Sequence, residues 1–76
     1  MPTITVTVHR QGKPMKGCQV SLGCDPSDKV YGPEYTGNDG VARFEVKDGE
    51  GGEVLVNTSL QGHWEARGRT DIAVNV

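Results

Sequence analysis

Apolar and polar residues alternate with a period of two along most of this chain, a pattern that fits strands and leaves no amphipathic helix. Ile4, Val6 and Val8 alternate with Thr3, Thr5 and Thr7, which reads as a half-buried strand with β-branched residues on both faces. Gln11-Gly12-Lys13-Pro14 follows as a turn, and Gly17 to Cys24 forms a second strand with Cys18, Val20, Leu22 and Cys24 on one parity. Asp25 to Pro33 reads as a loop, followed by a short, poorly patterned strand over Glu34 to Thr36. Asn38-Asp39-Gly40 signals a tight reversal. Beyond it Ala42, Phe44 and Val46 face one way while Val41, Arg43 and Glu45 face the other.

Lys47 to Gly52 is a polar connection, and Val54 and Val56 anchor the next strand, with Leu55 partly covered on its far side. A turn is expected at Gln61-Gly62, after which Trp64 and Ala66 face the core. Ile72, Val74 and Val76 form the last alternating strand. Nowhere do apolar residues recur at i, i+3, i+4 and i+7 long enough to make a helix. Six or seven short strands, each with one face to bury, have to pack as two sheets. The expected fold is therefore an all-β, two-sheet sandwich of mostly antiparallel strands, in one domain covering residues 1–76, since 76 residues cannot supply two cores.

Charge and cysteine usage narrow the function classes. Eight basic and ten acidic residues are scattered to a net of −2, so no positive stripe awaits a phosphate backbone and nucleic acid is not an expected partner. No uncharged stretch is long enough to span a bilayer. The start, Met1-Pro2-Thr3-Ile4-Thr5, lacks the basic and apolar regions of a signal peptide. With Met1 native and no leader removed, the expected compartment is the cytoplasm. Cys18 and Cys24 lie six residues apart on one strand, about 20 Å if extended. A disulfide needs about 4.4–6.8 Å between Cα atoms. Two free thiols are expected, Cys18 in the core and Cys24 near a strand end.

The order of these features resembles a known family. Val6-Thr7-Val8, Gln11-Gly12-Lys13-Pro14 and Gly17-Cys18-Gln19-Val20-Ser21-Leu22 are similar to the opening of carboxypeptidase regulatory-like domains: a strand, a G-x-P turn, then G-A-x-V-x-L. Cys18 stands where those domains usually carry Ala. Thr36-Gly37-Asn38-Asp39-Gly40-Val41-Ala42-Arg43-Phe44 is similar to their next landmark, a Thr ahead of a D-G-x-a-x-F strand. The resemblance covers roughly residues 4–46. It implies a transthyretin-like (prealbumin-like) sandwich related in shape to immunoglobulin domains, and an accessory, adhesive or structural role. Fold alone does not fix function.

Several residues have side chains suited to a site. Transthyretin-related hydroxyisourate hydrolases share this sandwich and place a His on the first strand. His9 and Arg43 are comparable with groups those enzymes use, but the chain ends Ile72-Ala73-Val74-Asn75-Val76 where they end Y-R-G-S. A hydrolase also needs an acid or base held by partners, and His9 has none in view, so no catalytic residue is assigned. His9, His63, Cys18 and Cys24 include zinc-ligand types without a paired spacing. Asp25, Asp28, Asn38 and Asp39 supply oxygens without a complete calcium loop. Neither a metal nor any other cofactor is assigned.

Trp64 is better explained as core filling than as a binding platform. Tyr31 and Tyr35 flank Gly32-Pro33 and are the expected partner contacts. A small-molecule or carbohydrate ligand on these aromatics has no further support. The first strand carries no charge between Thr3 and Val8, and the last only Asp71. If either lies at a sheet edge, it invites strand addition. The expected function is thus non-catalytic contact with a protein partner, or self-association, through sheet edges and a loop-bearing end.

Overall fold

The structure, a computed structural model, describes residues 2–25 and 27–76; Met1 and Pro26 lie outside the described residues. It is an all-β sandwich with strands β1 (Thr3–Arg10), β2 (Lys13–Pro14), β3 (Gln19–Cys24), β4 (Val30–Tyr35), β5 (Val41–Glu45), β6 (Gly51–Val56), β7 (Ser59–Glu65) and β8 (Asp71–Asn75). The two-residue β2 belongs to the Gln11-Gly12 hairpin, and the other strands number seven, within the expected six or seven. In the first sheet β1 is flanked on one side by β5 and β2, both antiparallel, and on the other by β8, parallel. The second sheet has the antiparallel order β4-β3-β6-β7.

The core follows the parity of the strands. Ile4, Val6, Val8, Val20, Leu22 and Val54 are fully enclosed between the sheets. Phe44, Trp64, Ile72 and Val74 fill the remainder. Val76, grouped by alternation with the last strand, lies one residue past β8 and is 44% exposed. Cys24, expected near a strand end, does end β3 but is buried like Cys18, and both thiols are free.

Local chemistry places the turns. The Gly37–Gly40 turn closes with the Gly40 N–H on the Gly37 carbonyl at 2.9 Å, and Asp39 Oδ1 accepts the Val41 N–H at 3.0 Å. Gly40 has φ +76°, and a Cβ there would sit 2.7 Å from the Val8 carbonyl oxygen. Only glycine fits both demands. The turn does not make a hairpin, since it carries the chain from β4 in one sheet to β5 in the other.

Two expected boundaries are corrected. The chain reverses at Asn57-Thr58, between β6 and β7, and not at Gln61-Gly62, which lies inside β7. Asn57 and Thr58 adopt φ +50° and +69°, the left-handed pair that a two-residue hairpin requires. Asn tolerates that region among non-glycine residues. Gln61 is instead the extra residue of a bulge, since Val54 pairs with Gly62 and Leu55 with Leu60. The second correction concerns β4. It begins at Val30 within the expected loop, because β3 offers pairing partners back to Gly23.

Candidate functional site

Strand β1, whose lack of charge made it a candidate edge, is the centre of its sheet. The strand at the edge is β8. The Thr5 N–H donates to the Thr70 carbonyl at 2.7 Å, and the Val76 N–H to the His9 carbonyl at 2.9 Å. Because backbone groups alternate sides along a strand, Ile72 and Val74 also turn theirs toward β1. The N–H and C=O groups of Asp71, Ala73 and Asn75 face away from it, and no second strand covers them among the described residues. All three residues are exposed.

The other three edges are blunted. Strand β4 carries Pro33, which has no N–H, and a register shift opposite Val20–Leu22. Strand β7 is bulged at Gln61, and its far end is capped by reciprocal 3.0 Å bonds between Glu65 and Arg69. Strand β5 presents the charged side chains Arg43 and Glu45, and its Val41 carbonyl already accepts the Gly37 N–H at 3.2 Å. Inserted prolines, bulges and charges are the usual protections of a sheet edge. Only β8 combines regular pairing with one charged residue.

His9 and Arg43, the two residues comparable with a hydrolase pair, are held apart. His9 and Arg43 share the outer face of the first sheet, but Arg43 pairs with Thr5, four residues from His9. That is about 13 Å along the strand. The cross-strand neighbours of His9 are Pro14 and Asn75. Arg43 lies 3.8 Å from Asp39. The described residues enclose no pocket.

The metal-ligand types are dispersed as well. His9 and His63 lie on opposite outer faces, and Cys18 and Cys24 are inside. Asp25 and Asp28 belong to the loop at one end of the sandwich, and Asn38 and Asp39 to the turn at the other. No group of three or more potential ligands comes together among the described residues.

The bulge in β4 separates the two tyrosines. Tyr31 pairs with Leu22 on the inner face, while Tyr35, past the extra residue, pairs with Gln19 on the outer face. One inserted residue reverses the side on which every later residue lies. The Tyr31 ring packs against the core and meets Trp64 edge-on, at 6.2 Å and 81°. Its hydroxyl donates to Glu50 Oε1 and accepts from Lys29 Nζ at 3.0 Å. Lys29 Nζ also lies 3.7 Å from Glu50 Oε2 and 4.5 Å from the centre of the Tyr31 ring.

The Tyr31 hydroxyl is the main cause holding the Glu50 carboxyl below its usual range, with the Lys47 N–H and nearby ammonium groups adding to it. The bond to Tyr31 likewise raises Lys29. Burial, aided by the negative charge of Glu50, pushes the Cys24 thiol up, which makes it a poor nucleophile. Lys29 and Glu50 were not anticipated; Glu50 is 19 residues from Tyr31 in the chain, and no local pattern links them. Tyr35, 63% exposed, shares the outer face of the second sheet with Val30, Leu55 and Leu60.

Comparison with family models, with curated proteins and with solved structures returns no match. The geometry alone therefore points to a site, and the feature it singles out is the β8 edge.

Proposed function

We propose that this domain is a non-catalytic protein-contact module, and that it works by accepting a strand along β8. The observation that carries this reading is the contrast among the four edges. Three are interrupted by proline, bulge or charge, and β8 alone offers a regular row of unpaired backbone groups at Asp71, Ala73 and Asn75. Strand addition draws its affinity from such main-chain bonds and its specificity from alternate side chains. Tyr35 is the proposed aromatic contact outside the edge. The ring of Tyr31 is committed to Trp64 and its hydroxyl to Glu50. The resemblance to carboxypeptidase regulatory-like, transthyretin-like domains supports the same class of role.

Ala73→Pro tests the reading. It deletes an N–H that makes no bond to β1, so the fold should persist, as proline is tolerated on an edge strand. Selection of displayed peptides on the immobilised domain should enrich sequences that bind the wild type and lose binding to the proline variant. Failure to enrich any peptide, or enrichment only of peptides indifferent to Ala73→Pro, would remove β8 as the docking edge.

A further inference from the structure

We infer that the strand accepted by β8 is β8 of a second copy of this chain, antiparallel and related by a two-fold axis at Ala73. The inference rests on the edge reading above and adds the identity and register of the partner.

The residues of β8 are complementary to themselves in one register. Antiparallel pairing about Ala73 sets Asp71 against Asn75 of the second copy, Ala73 against Ala73, and Asn75 against Asp71. The carboxylate of Asp71 can then accept from the Asn75 amide, and no like charges oppose one another. On the inner side Ile72 meets Val74 of the second copy, apolar against apolar. Moving the two-fold axis one residue toward the start of the strand, to Ile72, sets Asp71 against Ala73 and loses its contact with Asn75. Moving it two residues opposes Asp71 to Asp71, and like charges directly opposite are destabilising. Shifting it the other way leaves only the last residues paired.

The backbone agrees. Asp71, Ala73 and Asn75 are the residues whose groups point outward, and in this register each faces another outward-pointing residue. Directly opposed residues of that kind exchange both bonds, giving about six main-chain hydrogen bonds across the axis. Strand β5 fails the same comparison, since a two-fold axis at its centre would set Arg43 against Arg43. The first sheets of the two copies would then join continuously, through β1 and β8 of each. A contact of five residues a side falls well short of the roughly 1,200 Å² that stable interfaces bury. The dimer is accordingly weak, with a Kd expected at about 10 μM or above.

Sedimentation or light scattering on the full chain, from about 10 μM to 1 mM, should show a monomer passing to a dimer. Asn75→Lys, which opposes Lys to Asp71, should tighten the dimer severalfold. Asn75→Asp, which opposes two carboxylates, should weaken it roughly tenfold, counting two symmetric contacts. Asn75 is exposed, so neither change threatens folding.

Cysteine pairs read the register. Ala73→Cys should cross-link to itself under mild oxidation, at a Cα separation of about 5.5 Å. Asp71→Cys alone should not, whereas a mixture of Asp71→Cys with Asn75→Cys should. A chain that stays monomeric to 1 mM overturns the inference. So does a dimer indifferent to Asn75→Lys and Asn75→Asp, or one that cross-links in another pattern. A strict monomer that still selects peptides sensitive to Ala73→Pro would overturn the second copy alone and leave the edge in place. A dimer that survives Ala73→Pro would place self-association on another surface.

Discussion

The indole N–H of Trp64 on β7 donates to the backbone carbonyl of Gly23 on β3 at 3.0 Å, reaching across the whole width of β6. The strand it crosses contributes Gly52 at that level, in register with both Trp64 and Cys24. A Cβ on Gly52 would run into the backbone carbonyl of Gly23. A glycine on the middle strand therefore allows the sheet to close beneath the only tryptophan of the chain.

Gly52→Ala should accordingly destabilise the domain by about 3 kcal/mol or more, since the obstructing atoms are backbone and cannot swing away. Gly23→Ala is the control. A Cβ there meets nothing within 4 Å, and the change should cost under about 1 kcal/mol. Urea midpoints of the two variants decide the matter, and equal losses would contradict the stated packing.

Thr36 is the one buried polar side chain among the described residues. Its Oγ1 accepts the Cys18 N–H at 2.9 Å and donates to the Met15 carbonyl at 2.5 Å. Thr36→Val keeps the shape and leaves both backbone groups without this partner. It should cost about 2–6 kcal/mol, at 1–3 kcal/mol for each of the two groups left unsatisfied. Thr36→Ser should recover most of that loss. Chemical denaturation of the pair checks it, and a valine variant as stable as the serine variant would show that the hydroxyl contributes nothing.

Thr58 is a β-branched residue at φ +69°, a conformation costing L-residues roughly 1–2 kcal/mol. Thr58→Gly creates the Asn-Gly pair favoured in such hairpins. Despite the entropy glycine loses on folding, the variant should gain about 0.5–1 kcal/mol. A melting temperature unchanged or lowered would mean that the turn holds Thr58 without strain.

The Lys29–Tyr31–Glu50 cluster predicts a pH dependence. Glu50 sits below its usual 4.5, so its contribution is complete above that value and fades as pH falls through the folded-state pKa. Lys29 sits above 10.5; its contribution is complete below that value and fades as pH rises through its own folded-state pKa. Tyr31→Phe should thus lower the melting temperature most on the plateau between these limits, and the gap to wild type should narrow in acid. The effect is small because Lys29 is exposed and Glu50, though half-buried, still keeps 24% of its side chain in solvent. A gap that stays constant from pH 2 to pH 7, an interval of about 5 pH units across the carboxylate range, would exclude the cluster as its source.

The alternation of side chains was enough to place the core. Ile4, Val6, Val8, Val20, Leu22, Phe44 and Val54 all lie where parity puts them, because a period of two depends only on the local pleat. The all-β class, the Asp39-Gly40 turn and the free thiols were legible for the same reason, each following from neighbours along the chain. The reversal at Asn57-Thr58 was masked by Gly62, the stronger turn-former, which the β7 bulge holds in a strand.

What only the tertiary structure decided is which strand lies beside which. The same alternation permits many strand orders. Nothing local says that β1 is central and β8 at the edge, that the Asp39-Gly40 turn leads to the other sheet, or that Glu50 reaches Tyr31. Those relations join residues far apart in sequence, and they are selected by closing one core around Trp64 and Phe44. The candidate site inherits that dependence. The residues of β8 could be read from the chain, but their exposed backbone edge exists only because β1 is paired on both sides and β8 on one.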